Sequence, residues 1–336
     1  MATEAQRQPS WRQRHDLLAV FASRLGYGLI TLFIVTIIVF WATQALPGNA
    51  ATSILGTHAT PALVKETENQ LHLDRPVYSQ YWAWLSGIFQ GNFGHSLTNG
   101  SSVWTLIKPR LVNSAVLVVL AALFGSLIGI PMAIYAALHK DKLFDRVMAV
   151  ITLSISAVPD FVVAVLLVTI FSTVVWKVLP AVSVVPVGEY AWSTPKLLIL
   201  PVATLSLVIV PYIYRMTRAA LIDALESEYV ELARLKGLKP LRVSVAHALP
   251  NALAPVIQVS GLNFIYLAGG IVLVEYIFNF PGLGQGLVNA VSDRDVPTIQ
   301  FVVLSLATFY IVINILADVA VLIVTPRRRY ARSVPA

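Results

Sequence analysis

The chain has 336 residues, of which 57% are hydrophobic and 12% are charged, whereas a soluble globular protein has about 25% charged residues. This composition excludes a soluble enzyme and indicates that lipid is the natural solvent of the surface. The net charge of +7 does not indicate nucleic-acid binding, because the basic residues lie in short tails and loops between apolar blocks. The absence of cysteine excludes disulfides, thiolate nucleophiles and cysteine-bound metals.

Six apolar blocks, each close to the roughly 20 residues that a helix needs to cross the hydrocarbon, predict six transmembrane helices. The first block is longer than the apolar region of a secretory signal. The third block contains Pro159 and Asp160, and the proline should open that helix. The predicted spans are about 25–46, 113–138, 147–176, 197–217, 251–274 and 299–325. We therefore expect an all-α integral membrane protein, with spans two to six inside residues 113–325.

The basic residues predict the orientation of these spans. If tail 1–24 is cytoplasmic, 17 of the 24 lysines and arginines lie on the cytoplasmic side. They occupy that tail, the loops after spans two and four, and tail 326–336. The positive-inside rule then predicts that both termini are cytoplasmic.

The stretch 47–112 is the first of two hydrophilic segments that are too long to be turns, and the topology predicts that it is external. It contains an aromatic group, namely Tyr78, Tyr81, Trp82, Trp84 and Phe89. Two interpretations remain open at this point. The group forms an interfacial aromatic belt, or the segment folds into a small external subdomain that caps a pathway or meets a partner.

The second segment, 218–250, lies on the cytoplasmic side. Asp223 to Arg242 read DALESEYVELARLKGLKPLR, with acids first and bases last, which matches the macrodipole of a helix ending near Gly237. Apolar residues recur at helical spacing, namely Leu225, Tyr229, Leu232 and Leu235. This pattern predicts an amphipathic helix outside the membrane. By shape alone, it either rests on the bilayer surface or docks to a partner.

The same loop resembles the EAA loop of ATP-binding-cassette importer permeases, which reads Glu-Ala-Ala, three residues, Gly, nine residues and Ile-x-Leu-Pro. The matching positions are Glu231, Ala233, Gly237, Leu249 and Pro250. This sequence departs from that pattern at two positions, since Leu232 replaces the second residue of the triplet and His247 replaces the isoleucine.

The rest of the chain, from about 24 to 330, resembles the dipeptide, oligopeptide and nickel branch of these permeases. Asn49 and Asn92 stand where that branch has aspartate. The motifs in family order are Leu46-Pro47-Gly48, Leu73-Asp74-Arg75-Pro76, Gln80-Tyr81, Gly91-Asn92-Phe93-Gly94-His95-Ser96, Phe280-Pro281-Gly282-Leu283-Gly284, Asp295-Val296-Pro297, Asn314 with Asp318, and Pro326-Arg327.

The resemblance implies a peptide-importing permease subunit of the dipeptide permease B or oligopeptide permease B type, in the bacterial cytoplasmic (inner) membrane. It implies four further components: a second homologous permease, two cytoplasmic ATP-binding subunits and an external substrate-binding protein. The chain has no G-x-x-x-x-G-K-[ST] loop to hold nucleotide phosphates. ATP-Mg is therefore expected in the partner ATPases, and this chain is expected to be no enzyme and to bind no cofactor.

The resemblance also implies that the cytoplasmic loop is a lever seated on an ATPase subunit, which transmits ATPase closure as rigid-body helix motion. Glu231 would anchor the loop by charge, and Ala233 would allow close approach. Gly237 would let the chain turn, while Leu249 and Pro250 would fix the start of span five.

Three ionisable residues lie within or at the ends of spans, where charge is costly and usually faces a cavity or a partner. Asp160 is a candidate pathway residue, or a local cap. Glu275 is a candidate docking or gating residue, or one member of a structural ion pair. Asp318 shares a helix face with Asn314, and this pair is expected to join helices.

No residue pattern predicts catalysis or metal binding. The histidines at 95, 139 and 247 do not have a metal-ligand spacing, and no base accompanies Ser154 and Ser156 in their span. Other interpretations remain open: the same architecture importing nickel chelates, haem or another small solute, a membrane enzyme, and a self-contained channel. The last two are disfavoured, because a nucleophile with its base is missing and because a channel has no use for the cytoplasmic loop.

Overall fold

The computed structural model describes residues 10–45, 60–70, 75–185, 189–237 and 270–324. These residues form helices joined by turns and loops, and they contain no β-strand. A π-helical turn at Thr169–Thr173 follows α6, and a 3-10 turn at Ala191–Ser193 precedes α7. The helices are α1 (Ser10–Gln44), α2 (Pro61–Gln70), α3 (Val77–Phe89), α4 (Val103–Leu138), α5 (Leu143–Ser156), α6 (Asp160–Val168), α7 (Lys196–Leu225), α8 (Glu228–Leu235), α9 (270–277), α10 (Leu283–Ser292) and α11 (Val296–Val324).

Four of these helices are long and apolar enough to cross a membrane: α1 over Phe21–Gln44, α4, α7, and α11 over Val296–Val319. The pair α5 and α6 meets the same criterion as one broken span, with an angle of 99° between its halves. The all-α membrane fold is thus confirmed for the described residues, with four spans or five if the broken pair is counted. Most of the predicted fifth span, 251–274, lies outside the described residues, and its last residues begin α9.

Two predicted span boundaries differ from the structure. Helix α4 begins at Val103 rather than near 113, and α7 continues to Leu225 rather than ending near 217. In both cases the additional turns carry charged residues, such as Arg110 and Arg218, which a search for apolar blocks excludes. The helical hydrogen bonding therefore continues beyond the apolar stretch at both places.

The centre of the bundle is the close packing of α4 against α7, made possible by two glycines one turn apart. A Cβ at Gly125 would lie 2.5 Å from Ile209 Cδ1, and a Cβ at Gly129 would lie 2.9 Å from Ile213 Cγ2. Small residues at this spacing let two backbones approach closely inside a membrane. The buried apolar core continues from this contact through Leu117, Val118, Leu205, Ile271 and Phe278.

The first and last described spans, α1 and α11, form a second pair. Arg24 Nε lies 2.9 Å from Asp318 Oδ2, and the Gln300 amide donates to Thr43 Oγ1 at 2.8 Å. Asp318 thus joins two helices through an ion pair.

The aromatic residues before α4 are folded against the bundle. Tyr81 and Trp84 of α3 lie 5.3 Å and 5.7 Å from the ring centroid of Phe40 on α1. The Tyr81 hydroxyl also shares a 3.0 Å hydrogen bond with Thr36. Trp82 remains 58% exposed. Helix α3 is therefore attached to α1 through one of its sides.

The turn that follows α3 is fastened to the start of α11. Asp295 accepts hydrogen bonds from the Ser96 hydroxyl at 2.5 Å, from the Leu97 amide at 3.1 Å and from the Thr298 hydroxyl at 2.8 Å. Gly91 and Gly94 take positive φ values of 75° and 81°, which allow the chain to reverse there. This turn and α11 consequently form one packed unit.

We predict that Gly129→Ala destabilises the protein by about 1 to 3 kcal/mol, because the added methyl overlaps Ile213 in a packed contact. Adding Ile213→Ala should recover part of the loss, giving a coupling energy in a double-mutant cycle. The control is Gly26→Ala, where a Cβ has nothing within 4 Å. Thermal unfolding of the detergent-purified protein measures these effects, and equal midpoints for the two single variants would contradict the packing argument.

Candidate functional site

The segment predicted to form one amphipathic helix contains the end of one helix and the start of another. Helix α7 ends at Leu225, and α8 begins at Glu228, so the predicted continuous helix is wrong between these residues. The break changes the helical phase, and the apolar residue that packs inward is Val230, which is fully buried. Val230 is not a member of the apolar set at helical spacing from which the helix was predicted.

The apolar residues on the outer side of α8 are left uncovered. Leu232 is 58% exposed and Leu235 is 78% exposed, and Glu231 is also exposed. The chain turns away after Leu235 at Gly237, whose φ of +76° is typical of a glycine after a helix C-terminus. The backbone of Ala233 belongs to α8, whereas His247, Leu249 and Pro250 lie outside the described residues.

An ion pair joins the start of α5 to the C-terminal part of α7. The buried carboxylate of Asp145 accepts from Arg218 Nε at 2.5 Å and from Arg218 Nη2 at 2.6 Å. It also accepts from the Tyr214 hydroxyl at 3.4 Å and from the Asp141 amide at 2.9 Å. A bidentate contact between a guanidinium and a carboxylate fixes the relative orientation of the two side chains as well as their distance.

Two further contacts lie in the same region. Lys140 Nζ lies 2.5 Å from Glu226 Oε1 between α7 and α8, and this hydrogen bond raises the pKa of the Lys140 ammonium. Val230 of α8 packs with Ala137 of α4 and Leu221 of α7. Val230 thus anchors α8 to the bundle, while the ends of α4 and α7 are joined by charge.

A second polar cluster lies at the opposite end of the bundle around Glu275, which is fully buried. Its carboxylate accepts from the Ser114 hydroxyl at 2.6 Å and from the amides of Gly284 and Gln285 at 2.6 Å and 3.3 Å. A Cβ at Gly282 would overlap this carboxylate. Residues 279–285 therefore fold around the acid, and only glycine fits beside it.

The same turn is bound to α4 through two other residues. Arg110 Nη1 donates to Gln285 Oε1 at 2.7 Å and to the Gly282 carbonyl at 3.3 Å. The Asn113 amide donates to the Pro281 carbonyl at 2.9 Å and accepts from the Ala191 N–H at 3.0 Å. These contacts connect α4, the turn and the segment before α7 into one network.

The third candidate, Asp160, is the first residue of α6, directly after the break in the bent span. It lines a cavity of about 170 Å³ together with residues 155–159 and with Val208 and Tyr212 of α7. A Cβ at Gly270 would lie 2.8 Å from Asp160 Oδ2, so the start of α9 passes beside the carboxylate.

The three candidate sites do not form one site. Ser114 and the end of α4 at Leu138 are about 36 Å apart along the helix at a rise of 1.5 Å per residue. The sequence interpretation missed Asp145 and Arg110, which hold the two polar ends. The short basic segment 139–146 contains two acids, Asp141 and Asp145, and nothing in the sequence distinguishes the one that is buried.

Two family models match the chain. "Binding-protein-dependent transport system inner membrane component" matches residues 129–330, and the N-terminal model "Binding-prot-dependent transport system membrane comp, N-term" matches residues 17–118. Among solved structures, the chain is similar to the MetNI methionine ABC transporter in inward-facing conformations. The TM-score is 0.54 at 18% identity, over 66% of this chain and 96% of that chain.

Two relatives are similar along nearly their whole length. One, from Sinorhizobium fredii (strain NBRC 101917 / NGR234), is named probable peptide ABC transporter permease protein y4tP, and is 33% identical over 91% of this chain and 98% of its own length. The other, from Escherichia coli (strain K12), is named glutathione transport system permease protein GsiC, and is 36% identical over 90% of this chain and 96% of its own length. The chain therefore belongs to the family of inner membrane components of binding-protein-dependent transport systems.

Proposed function

We propose that this chain is the transmembrane permease subunit of an ATP-driven importer that takes up peptides. The observation that carries the proposal is the exposed apolar side of α8 at Leu232 and Leu235, on a helix that Val230 anchors to the bundle. The names of the relatives, which give peptide and glutathione transport, support the peptide class of substrate.

The exposed side of α8 is the seat for an ATP-binding subunit. Glu231 anchors it by charge and Ala233 allows close approach, while the turn at Gly237 leads to Leu249 and Pro250 at the start of span five. Burying two exposed leucine side chains stabilises such a contact by about 1.5 to 3 kcal/mol each. The ATP-Mg is bound and hydrolysed in that subunit, so this chain transmits work without performing catalysis.

The ion pair of Asp145 with Arg218 makes the loop between α4 and α5 part of the same lever. A movement of α8 reaches α7 directly and reaches α5 through this pair, which lies at the start of the broken span. The two helices therefore respond together when the ATPases close.

The complex that this function requires has two permeases, two cytoplasmic ATP-binding subunits and an external substrate-binding protein. Exposed apolar side chains along the spans suit lipid and the second permease; Leu29, Ile38, Leu127 and Leu316 are examples. Both termini are cytoplasmic in the bacterial inner membrane, in agreement with the distribution of lysine and arginine. The external segment, with Trp82 and Phe89 exposed, meets the binding protein.

The buried carboxylate of Glu275 holds the external turn 279–285 in the shape that closes or opens the outer end of the pathway. Its partners on α4 couple that turn to the helix whose other end carries the cytoplasmic ion pair. Glu275 is a positioning residue in this proposal, because it contacts the turn and leaves the pathway to other residues.

The seat on α8 is tested by replacing both exposed leucines, Leu232→Ser with Leu235→Ser. We expect the protein to insert normally, whereas the ATP-binding subunits co-purify at least tenfold less and peptide uptake falls with them. Glu231→Lys should act in the same direction. The control is Leu143→Ser, which removes a leucine that is 79% exposed at the start of α5. Full uptake by the double variant would contradict the proposal.

The proposed lever is tested by removing the negative charge of Asp145. Asp145→Asn should raise the ATP hydrolysed per peptide imported at least fivefold, because α5 no longer follows the movement of α8. The exchange Asp145→Arg with Arg218→Asp should restore part of the coupling. Arg146→Gln is the control, since it changes an exposed charge next to Asp145 that has no part in the ion pair. An unchanged ATP-to-peptide ratio in Asp145→Asn would refute this role.

The external turn is tested with Glu275→Gln, whose amide oxygen can still accept from the two backbone N–H groups but whose NH₂ group then faces the Ser114 hydroxyl, which loses its acceptor. The expected cost is about 1 to 3 kcal/mol for donors left unsatisfied in a buried place, with a lower uptake rate. Gly282→Ala should have the same effect by displacing the carboxylate. The matched change Glu189→Gln, at an exposed position, should leave thermal stability and uptake as in the parent. The role fails if Glu275→Gln matches Glu189→Gln in both measurements.

A further inference from the structure

The cavity at the break of the bent span lies beside the middle of α7, a helix long and apolar enough to cross the membrane. Its wall on α7 is made by Val208 and Tyr212, which lie near the middle of that 30-residue helix. Its other wall is the backbone of residues 155–160. In transporters, interrupted helices near the midplane are where substrate groups meet the protein.

The backbone at the break presents hydrogen-bond acceptors. Helix α5 ends at Ser156 and α6 begins at Asp160, so the carbonyls of Ala157 and Val158 lie outside the helical ladder. Ser156 also lines the cavity, and its hydroxyl donates to the Leu153 carbonyl at 3.0 Å. Carbonyl oxygens at such a break attract hydrogen-bond donors.

Among the described residues that line the cavity, one side chain is charged. The ionisable acid there is Asp160, and a carboxylate at this depth favours a cation beside it. The aromatic wall has the same preference, because the Arg215 guanidinium already lies 5.3 Å from the ring centroid of Tyr212. Asp160 and Tyr212 each have an interaction within the chain. An arriving cation would exchange with these contacts, which keeps its binding weak enough for release.

We propose that this cavity receives the terminal ammonium group of a peptide as it crosses the membrane. The size agrees with one end of the substrate, because about 170 Å³ is below the roughly 300 to 1,000 Å³ of a site for a whole small molecule. The inference rests on the proposed import of peptides and adds the residue that meets the ammonium, Asp160.

Gly270 belongs to the same site. The absence of a side chain there leaves Asp160 Oδ2 uncrowded, since a Cβ would lie 2.8 Å from it. A methyl group at this position would push the carboxylate away from the start of α9. Gly270→Ala is thus a second variant that alters the site without removing its charge.

The test uses the cysteine-free chain in its reconstituted complex. Ser156→Cys places a thiol on the cavity wall, and its labelling rate is compared for two methanethiosulfonates, one bearing trimethylammonium and the other sulfonate. We expect the cationic reagent to react at least tenfold faster relative to the anionic one than it does with a free thiol. Asp160→Asn should abolish this preference, and Asp160→Glu should keep most of it. Asp293→Asn, which removes an exposed carboxylate elsewhere, should leave it unchanged.

Transport is measured with tri-alanine under the same conditions. During ATP hydrolysis, this peptide should slow labelling of the thiol in the parent and fail to do so with Asp160→Asn. Uptake should fall at least tenfold for Asp160→Asn and less for Gly270→Ala, with both complexes still assembled.

The two possible failures are distinct. A parent complex that does not import tri-alanine refutes the proposed peptide substrate, while the charge preference of labelling, which needs no transport, still tests the cation site. A parent that imports tri-alanine, combined with an Asp160→Asn variant of equal uptake and equal charge preference, refutes the ammonium site alone.

Discussion

The close contact between α4 and α7 at Gly125 and Gly129 is the constraint on which the other features depend. Lipid supplies no hydrophobic force between two helices, so van der Waals contact at short distance has to hold them. Both helices extend beyond the apolar region, and their ends reach the water layers on the two sides. The contact in the middle therefore fixes where two polar clusters stand at the ends, although those clusters share no residue.

The polar clusters lie at the ends of the bundle for an energetic reason. An acid such as Glu275 or Asp145 is costly in hydrocarbon, and its burial is tolerated when several donors surround it. Glu275 obtains donors from backbone amides and a hydroxyl, whereas Asp145 obtains them chiefly from a guanidinium. The first arrangement shapes a turn, and the second joins two elements that would otherwise separate. Apolar packing therefore stabilises the middle of the bundle, and hydrogen bonds to buried acids stabilise the structure at its two ends.

The sequence predicted the features that depend on neighbouring residues. Apolar blocks located α1, α7 and α11, and Gly237 indicated where α8 would end, because these signals are local. The partner of Asp145 is 73 residues away, and Glu275 meets a hydroxyl 161 residues earlier. Hydrophobic periodicity gives no information on contacts between residues so far apart in the sequence. The sequence therefore identified Glu275 without its hydrogen-bond partners, and it did not identify Asp145. The phase of α8 was missed because a two-residue interruption shifts a helical repeat without leaving a glycine or proline as a marker.

The pairing of α1 with α11 has a consequence for how the protein is made. The contacts that join them connect residues 294 and 257 positions apart, Arg24 with Asp318 and Thr43 with Gln300. The ribosome synthesises α1 before α11, so α1 is in the bilayer without this partner while the helices between them are inserted. The apolar surface of α1 is compatible with exposure to lipid during this time, because only 22% of its most hydrophobic window is buried even in the finished fold. The pairing of α1 with α11 is thus a late step in assembly, and the charge of Arg24 has no partner on α11 until then.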